Sequence, residues 1–167
     1  TYKAGVEFKG FSDYLMKIKL TGYYQNTHKY QDMSMMASPM GRSITDNDMD
    51  SYGVSLQTDW LLFNDHYVIL GADWNYDDMD TWTQRFAPMP GVVGADGQQS
   101  NLGIYLQDEW SVLEQLKIVA GVRYTWIKTE ANEENIGKND ATDDNWVGNI
   151  GVVYMPTDEL ALRAKVS

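Results

Sequence analysis

Between Thr27 and Asp50 the chain holds its densest set of residues able to coordinate a metal. Met33, Met35, Met36 and Met40 offer thioethers and His28 an imidazole, a donor set suited to soft Cu(I); His28 also suits haem iron as an axial ligand. No fixed spacing ties these residues together, and flexible methionines equally well fill a loop. Asp46, Asp48 and Asp50 alternate like the opening of a calcium loop. Ser51 and Gln57 stand where an EF-hand needs glycine and glutamate, which excludes that motif. An extracellular calcium clamp and a solvated acidic loop both stay open, and Asp77, Asp78, Asp80, Asp140, Asp143 and Asp144 read as solvated acids in the same way.

Catalysis finds little support. The chain has no G-x-S-x-G, no H-E-x-x-H and no phosphate-binding loop. His28 with Ser34 or Ser43 has nothing to order it, and His66 falls in the short F-N-D-H connection, where it is expected to be solvated. An enzyme is therefore not expected, and no cofactor is required. The formal charge of −11 argues against a nucleic-acid partner, because phosphate binding needs clustered Lys and Arg. With no cysteine, disulfides and thiolate metal sites are excluded.

What must position these residues is a set of strands. Apolar and polar residues alternate with period two in eight segments, near Tyr2–Lys9, Leu15–Asn26, Asp50–Leu62, Tyr67–Thr81, Asn101–Trp110, Leu116–Ile127, Asn145–Tyr154 and Leu160–Ser167. No helical period competes. Four connections are tight (G-F-S-D-Y, F-N-D-H, S-V-L-E-Q and M-P-T-D-E) and three are long, Thr27–Met49, Trp82–Ser100 and Lys128–Asp144. Short and long alternate strictly, as in an up-and-down sheet with clipped turns on one rim and extended loops on the other. The fold class is all-β, an antiparallel up-and-down transmembrane barrel. Both ends of the chain lie inside alternating segments, so the expectation is a piece of a larger sheet.

The two faces differ sharply. Leu20, Leu56, Leu70, Ile104, Val122 and Ile150 represent the apolar face; Lys17, Lys19, Arg123, Arg163 and Lys165, with Glu7, Asp59, Asp73 and Glu109 as available partners, represent the polar one. Rings end the apolar runs: Tyr52 and Trp60 lie eight residues apart, as do Trp146 and Tyr154. On a strand tilted near 40° that spacing spans roughly 20 Å, close to the ~25 Å between the aromatic girdles of an outer-membrane barrel. Six Trp and eleven Tyr against four Phe fit an interface where one end of a ring is dry and the other wet. Hence the apolar face is expected to meet lipid and the polar face the bore.

Two stretches carry a more specific likeness. N-L-G-I-Y-L-Q-D-E-W followed by L-K-I-V-A-G-V-R-Y resembles a strand–turn–strand signature of TonB-dependent outer-membrane receptors. V-G-N-I-G-V-V-Y-M-P-T-D-E-L-A-L-R-A-K-V-S resembles the next hairpin of that family, and Y-G-V-S-L-Q-T-D-W and V-I-L-G-A-D-W also fit its strands. The resemblance implies a barrel of about 22 strands with a plugged lumen, of which residues 1–167 supply eight strands, with neither a plug domain nor a TonB-contacting box. It further implies multi-pass residence in the Gram-negative outer membrane and uptake of an iron-bearing ligand, a ferric siderophore or haem. The implied partners are outer-membrane lipid, the iron chelate and, through the missing plug, TonB. Since ferric siderophores are commonly anionic, Arg42, Arg85, Tyr30 and Trp82, together with His28, are the ligand-binding candidates. The alternative is a complete small eight-stranded outer-membrane barrel with a structural or lipid-modifying role. Against it, the closing K-V-S lacks a terminal aromatic residue.

Overall fold

The computed structural model describes residues 1–34, 42–86, 90–133, 137–157 and 159–167. They form eight strands: β1 (Tyr2–Lys9), β2 (Leu15–Ser34), β3 (Arg42–Leu62), β4 (His66–Arg85), β5 (Gly91–Leu113), β6 (Leu116–Glu133), β7 (Gly137–Thr157) and β8 (Leu160–Val166). Every strand is antiparallel to its sequence neighbour, and the order in the sheet is the order in the chain. Among the described residues β1 and β8 pair on one side only, so the sheet is open rather than closed on eight strands. The small closed barrel held as the alternative is therefore not what these strands form.

The short turns follow from local chemistry. Phe63 and Asn64 take φ of 54° and 66°, and the left-handed region tolerates asparagine better than most residues. Between β1 and β2, the Ser12 hydroxyl oxygen accepts from the backbone N–H groups of Tyr14 at 3.3 Å and Leu15 at 3.0 Å, which closes the turn without a second glycine.

The long connections differ from the sequence expectation. Most of Thr27–Met49, Trp82–Ser100 and Lys128–Asp144 is strand, and the six central strands run 18 to 23 residues. The physical reason is solvent. Beyond the girdle both faces of a hairpin are wet, so the apolar–polar period fades while the backbone ladder continues. Tall ribbons, not loops, rise from one rim.

Register builds continuous rows across the apolar face. Leu20, Leu56, Ala72, Ile104, Tyr124 and Trp146 are successive cross-strand partners. Tyr2, Tyr24, Tyr52 and Tyr76 form a second row, with ring centroids 6.3, 5.1 and 6.4 Å apart. Farther along the sheet Trp74, Trp126 and Trp146 continue this belt, stepping down the strands as tilted strands require.

Burial decides which face is inside. Among the described residues no hydrophobic side chain is buried, whereas Ser51 is 7% exposed and Asp59 1%. Leu56 is 45% exposed and Val152 39%. A sheet that shows such a surface to water forfeits the main driving force of folding. Covered by acyl chains, the same surface is satisfied. The polar face is the crowded one, and glycines make the crowding possible. Gly53, Gly71 and Gly103 are buried there, and a Cβ at these positions would run into Tyr23, Tyr105 and Arg123 respectively.

Candidate functional site

On the polar face the charges satisfy one another. Asp59 of β3 accepts from Lys17 Nζ of β2 at 2.5 Å, from Tyr67 Oη of β4 at 2.7 Å and from Gln57 Nε2 at 2.8 Å. Tyr105 Oη of β5 donates to Gln57 Oε1 at 3.4 Å, and the Arg123 guanidinium of β6 lies 5.7 Å from the Tyr105 ring centroid. Arg123 Nη2 also donates to Asp73 Oδ2 of β4 at 2.9 Å. Of the cations and carboxylates expected on this face, register brings Lys17 to Asp59 and Arg123 to Asp73. Glu109 instead takes Lys117 at 2.6 Å, and Glu7 takes Lys9 at 3.0 Å. The result is a belt of fixed dipoles across five strands, while Lys19, Arg163 and Lys165 of the same face form no ion pair among the described residues.

The ligand candidates lie on the tall ribbons and divide between the faces. Alternation puts His28, Tyr30, Arg42 and Trp82 on the same face as the tyrosine row, and Arg85 on the opposite, polar face beside Thr83. Tyr30, Asp46 and Trp82 are cross-strand partners, and both rings are exposed. Arg42 grips Asp32 as a fork, Nε to Oδ1 at 3.0 Å and Nη2 to Oδ2 at 2.6 Å, and stacks 5.2 Å from the Phe86 ring. Sequence reasoning missed Asp32, because only the hairpin register sets it diagonal to Arg42.

The metal candidates divide as well. His28 and Met33 point to opposite faces of β2, so they do not share a site; Met35, Met36 and Met40 lie outside the described residues. Asp46, Asp48 and Asp50 occupy one face of β3 rather than a loop. Asp50 is engaged, accepting from Tyr24 Oη at 2.7 Å and Asn26 Nδ2 at 3.0 Å. Asp46 and Asp48 instead converge on His28: Nδ1 is 3.3 Å from Asp46 Oδ1 and 2.8 Å from Asp48 Oδ1. His66 corrects an expectation. It opens β4, sits 2.7 Å from Asp108 Oδ2 and stacks on Trp110 at 5.3 Å, instead of hanging in water. The stacking partner is remote in sequence, so the turn alone could not announce it.

Electrostatics above the girdle are local. The hydrogen bond from Arg42 holds the Asp32 carboxyl below the ordinary carboxylate range. The hydrogen bond with Asp48, reinforced by the charge of Asp46, raises His28 above the usual imidazole value. For Asp32 the folded value lies below the unfolded one, so its contribution is present above the ordinary carboxylate pKa and lost as pH falls through the lowered value. Amide protection around Asp32 and Arg42, taken relative to the random-coil exchange rate at the same pH, is therefore expected to fall as pH drops below the ordinary carboxylate range. Asp32→Asn should show low protection at every pH, and wild-type protection that ignores acid would refute the clasp.

An up-and-down sheet with lipid-suited side chains on its uncrowded face, dipoles locked on the other and an aromatic belt between is a segment of a transmembrane β-barrel wall. The chain belongs to the TonB-dependent receptor family: the family model described as "TonB dependent receptor-like, beta-barrel" matches residues 1–167. That family consists of transport receptors, not enzymes, whose barrels reside in the Gram-negative outer membrane. Among solved structures, the unliganded ferric citrate transporter FecA aligns with a TM-score of 0.85 at 15% identity, over 98% of this chain and 26% of that one. The ferric yersiniabactin uptake receptor FyuA from Yersinia pestis aligns at 0.80 and 17%, over 98% and 27%. The copper transporter OprC aligns at 0.78 and 15%, over 93% and 28%. The chain thus spans about a quarter of the length of these proteins. No curated protein sequence matches it significantly.

Proposed function

We propose that this chain is part of the barrel wall of an outer-membrane transporter that takes up an iron-bearing chelate, a ferric siderophore or haem, with TonB driving release through a plug domain supplied elsewhere in the same protein. The observation that carries the reading is the inversion of burial, with Asp59 and Ser51 enclosed on the polar face while the apolar face lies open. The whole-chain family match and the ferric-ligand neighbours support the cargo class. Outer-membrane lipid covers the apolar face, and the tall ribbons stand on the extracellular side, since periplasmic turns are the short ones in such barrels.

Of the ligand candidates, Arg85 suits capture from the bore, because it is exposed on the polar face and has no competing carboxylate among the described residues. Tyr30, Trp82, His28 and Arg42 share the outward face, where they suit contacts with headgroups or other surface partners. The test is uptake of radioiron by the full-length protein in a Gram-negative host stripped of its own receptors. Ferric citrate, a ferric hydroxamate, a ferric catecholate and haemin are offered separately, with and without TonB. At least one should enter, and only with TonB; entry of none, or entry without TonB, overturns the reading. For an anionic chelate, Arg85→Ala should cut uptake about tenfold, the order of one charge-assisted hydrogen bond, while Arg42→Ala leaves it nearly unchanged. Equal losses at both positions would contradict the division of faces.

A further inference from the structure

The histidine and two aspartates that converge between β2 and β3 form a set of donors whose convergence the proposed transport does not require. His28 is the cross-strand partner of Asp48, and Tyr30 that of Asp46, so the two carboxylates flank the imidazole from one neighbouring strand. The three donor atoms lie within 4.8 Å of one another. Nδ1 to Oδ1 separations of 2.8 and 3.3 Å approach the edge of about 3.3 Å that a tetrahedron with ~2.0–2.1 Å metal–ligand bonds requires.

A second observation concerns Asp46 alone. Its Oδ1 is closed off from solvent and accepts no hydrogen bond, although the side chain as a whole is 22% exposed. A carboxylate oxygen turned inward is costly unless a positive charge meets it, and the charge at hand is the His28 imidazole 3.3 Å away, which an ion held on Nδ1 would replace. The surroundings sharpen the demand. Asp48 faces Asp80 across the β3–β4 ladder and Asp80 faces Asp96 across the next, and like charges directly opposite destabilise a sheet. Cations that share the outward face are committed elsewhere: Arg42 to Asp32, and Lys128 and Lys138 to Glu130.

We propose that His28, Asp46 and Asp48 bind a divalent first-row transition ion of the Zn(II) class on the outward face of the β2–β3 ribbon. One imidazole with two carboxylates is a borderline donor set that suits such ions better than Ca(II), which prefers oxygen alone, or Cu(I), which prefers sulfur. Three protein donors leave a coordination position open toward the outside. The site lies roughly 10 Å beyond the tyrosine row, four residues farther along tilted strands, so the ion clamps the ribbon above the hydrocarbon and stands apart from the bore.

The experiment uses the full-length protein in detergent, stripped with chelator and titrated calorimetrically with Zn(II) alone. Wild type should bind one more equivalent than His28→Ala or Asp46→Asn, or bind at least roughly tenfold more tightly, the least a lost ligand should cost. Asp50→Asn, on the same face but engaged by Tyr24 and Asn26, should bind like wild type. Zn(II) should also slow amide exchange in β2 and β3 of wild type and leave His28→Ala unchanged. Heat-modifiable mobility on gels confirms that each variant is folded, and the two ligand variants back each other if one is not. Unchanged stoichiometry and affinity in a folded ligand variant would show that His28 merely forms an ion pair with its aspartates.

Discussion

Val122→Arg abolishes insertion, while Thr125→Arg, three residues along the same strand, assembles normally: this pair of outcomes is the largest effect expected of the molecule. Val122 lies on the apolar face between Leu106 of β5 and Gly148 of β7, with Tyr124 and Trp126 toward one girdle and Leu116 toward the other. It is 40% exposed, so nothing in the protein shelters a charge placed there. Near the middle of the hydrocarbon an arginine facing lipid costs about 2–4 kcal/mol, enough to shift a folding equilibrium by factors of roughly 30 to 1,000. Thr125 faces the other way, opposite Gly103 and Asn145, with Arg123 Nε 3.3 Å from its hydroxyl. An arginine there meets the water of the bore, beside the Arg123–Asp73 ion pair. Heat-modifiable mobility and protease protection in whole cells read both variants. Equal tolerance of the two would invert the assignment of faces and take the transporter reading with it.

The second large effect is expected at Asp59. Its carboxylate is the common acceptor for Lys17, Tyr67 and Gln57, which come from three adjacent strands. Asp59→Ala leaves the Lys17 ammonium, itself only 27% exposed, beside a hydroxyl and an amide that have lost their acceptor. Breaking a fully buried pair costs about 3–5 kcal/mol, and the partial exposure of Lys17 lowers the expectation to about 2–4 kcal/mol. Adding Lys17→Met should recover part of the loss, because the unpaired charge is then gone. Urea unfolding of the full-length protein in lipid vesicles measures each step. A single-variant loss under about 0.5 kcal/mol, the scale of a surface pair, would mean that the cluster does not fasten these strands.

How far the sequence could be read varies along each strand. Inside the hydrocarbon, Leu116–Ile127 and Asp50–Leu62 show a clean period of two because lipid on one side and polar neighbours on the other impose opposite demands on successive residues. Above the girdle those demands coincide. Thr27–Ser34, Arg42–Met49 and Gly137–Asp144 therefore look like loops although they are paired ribbon. The tight G-F-S-D-Y and F-N-D-H connections were legible as turns, while the parts played in them by Ser12 and Asn64 came from the structure. The spacing of Tyr52 from Trp60 announced a belt, while its continuity through Tyr2, Tyr24 and Tyr76 needed the register.

The candidate site shows the same division. His28 and the Asp46–Asp48–Asp50 run were visible as separate hints, one for a soft or haem metal and one for calcium. Pairing of β2 with β3 joined His28 to two of those aspartates, turned Met33 away and gave Asp50 to Tyr24 and Asn26. By itself the sequence determined the fold class, the two faces and the family, because these depend on which residue types follow one another along a strand. Tertiary structure alone decided who meets whom: that Asp59 is enclosed among Lys17, Tyr67 and Gln57, that Arg85 faces the bore while Arg42 clasps Asp32, and that His66 rests on Trp110. Cross-strand contact depends on register between segments far apart in the chain, and a shift of one residue reverses every facing.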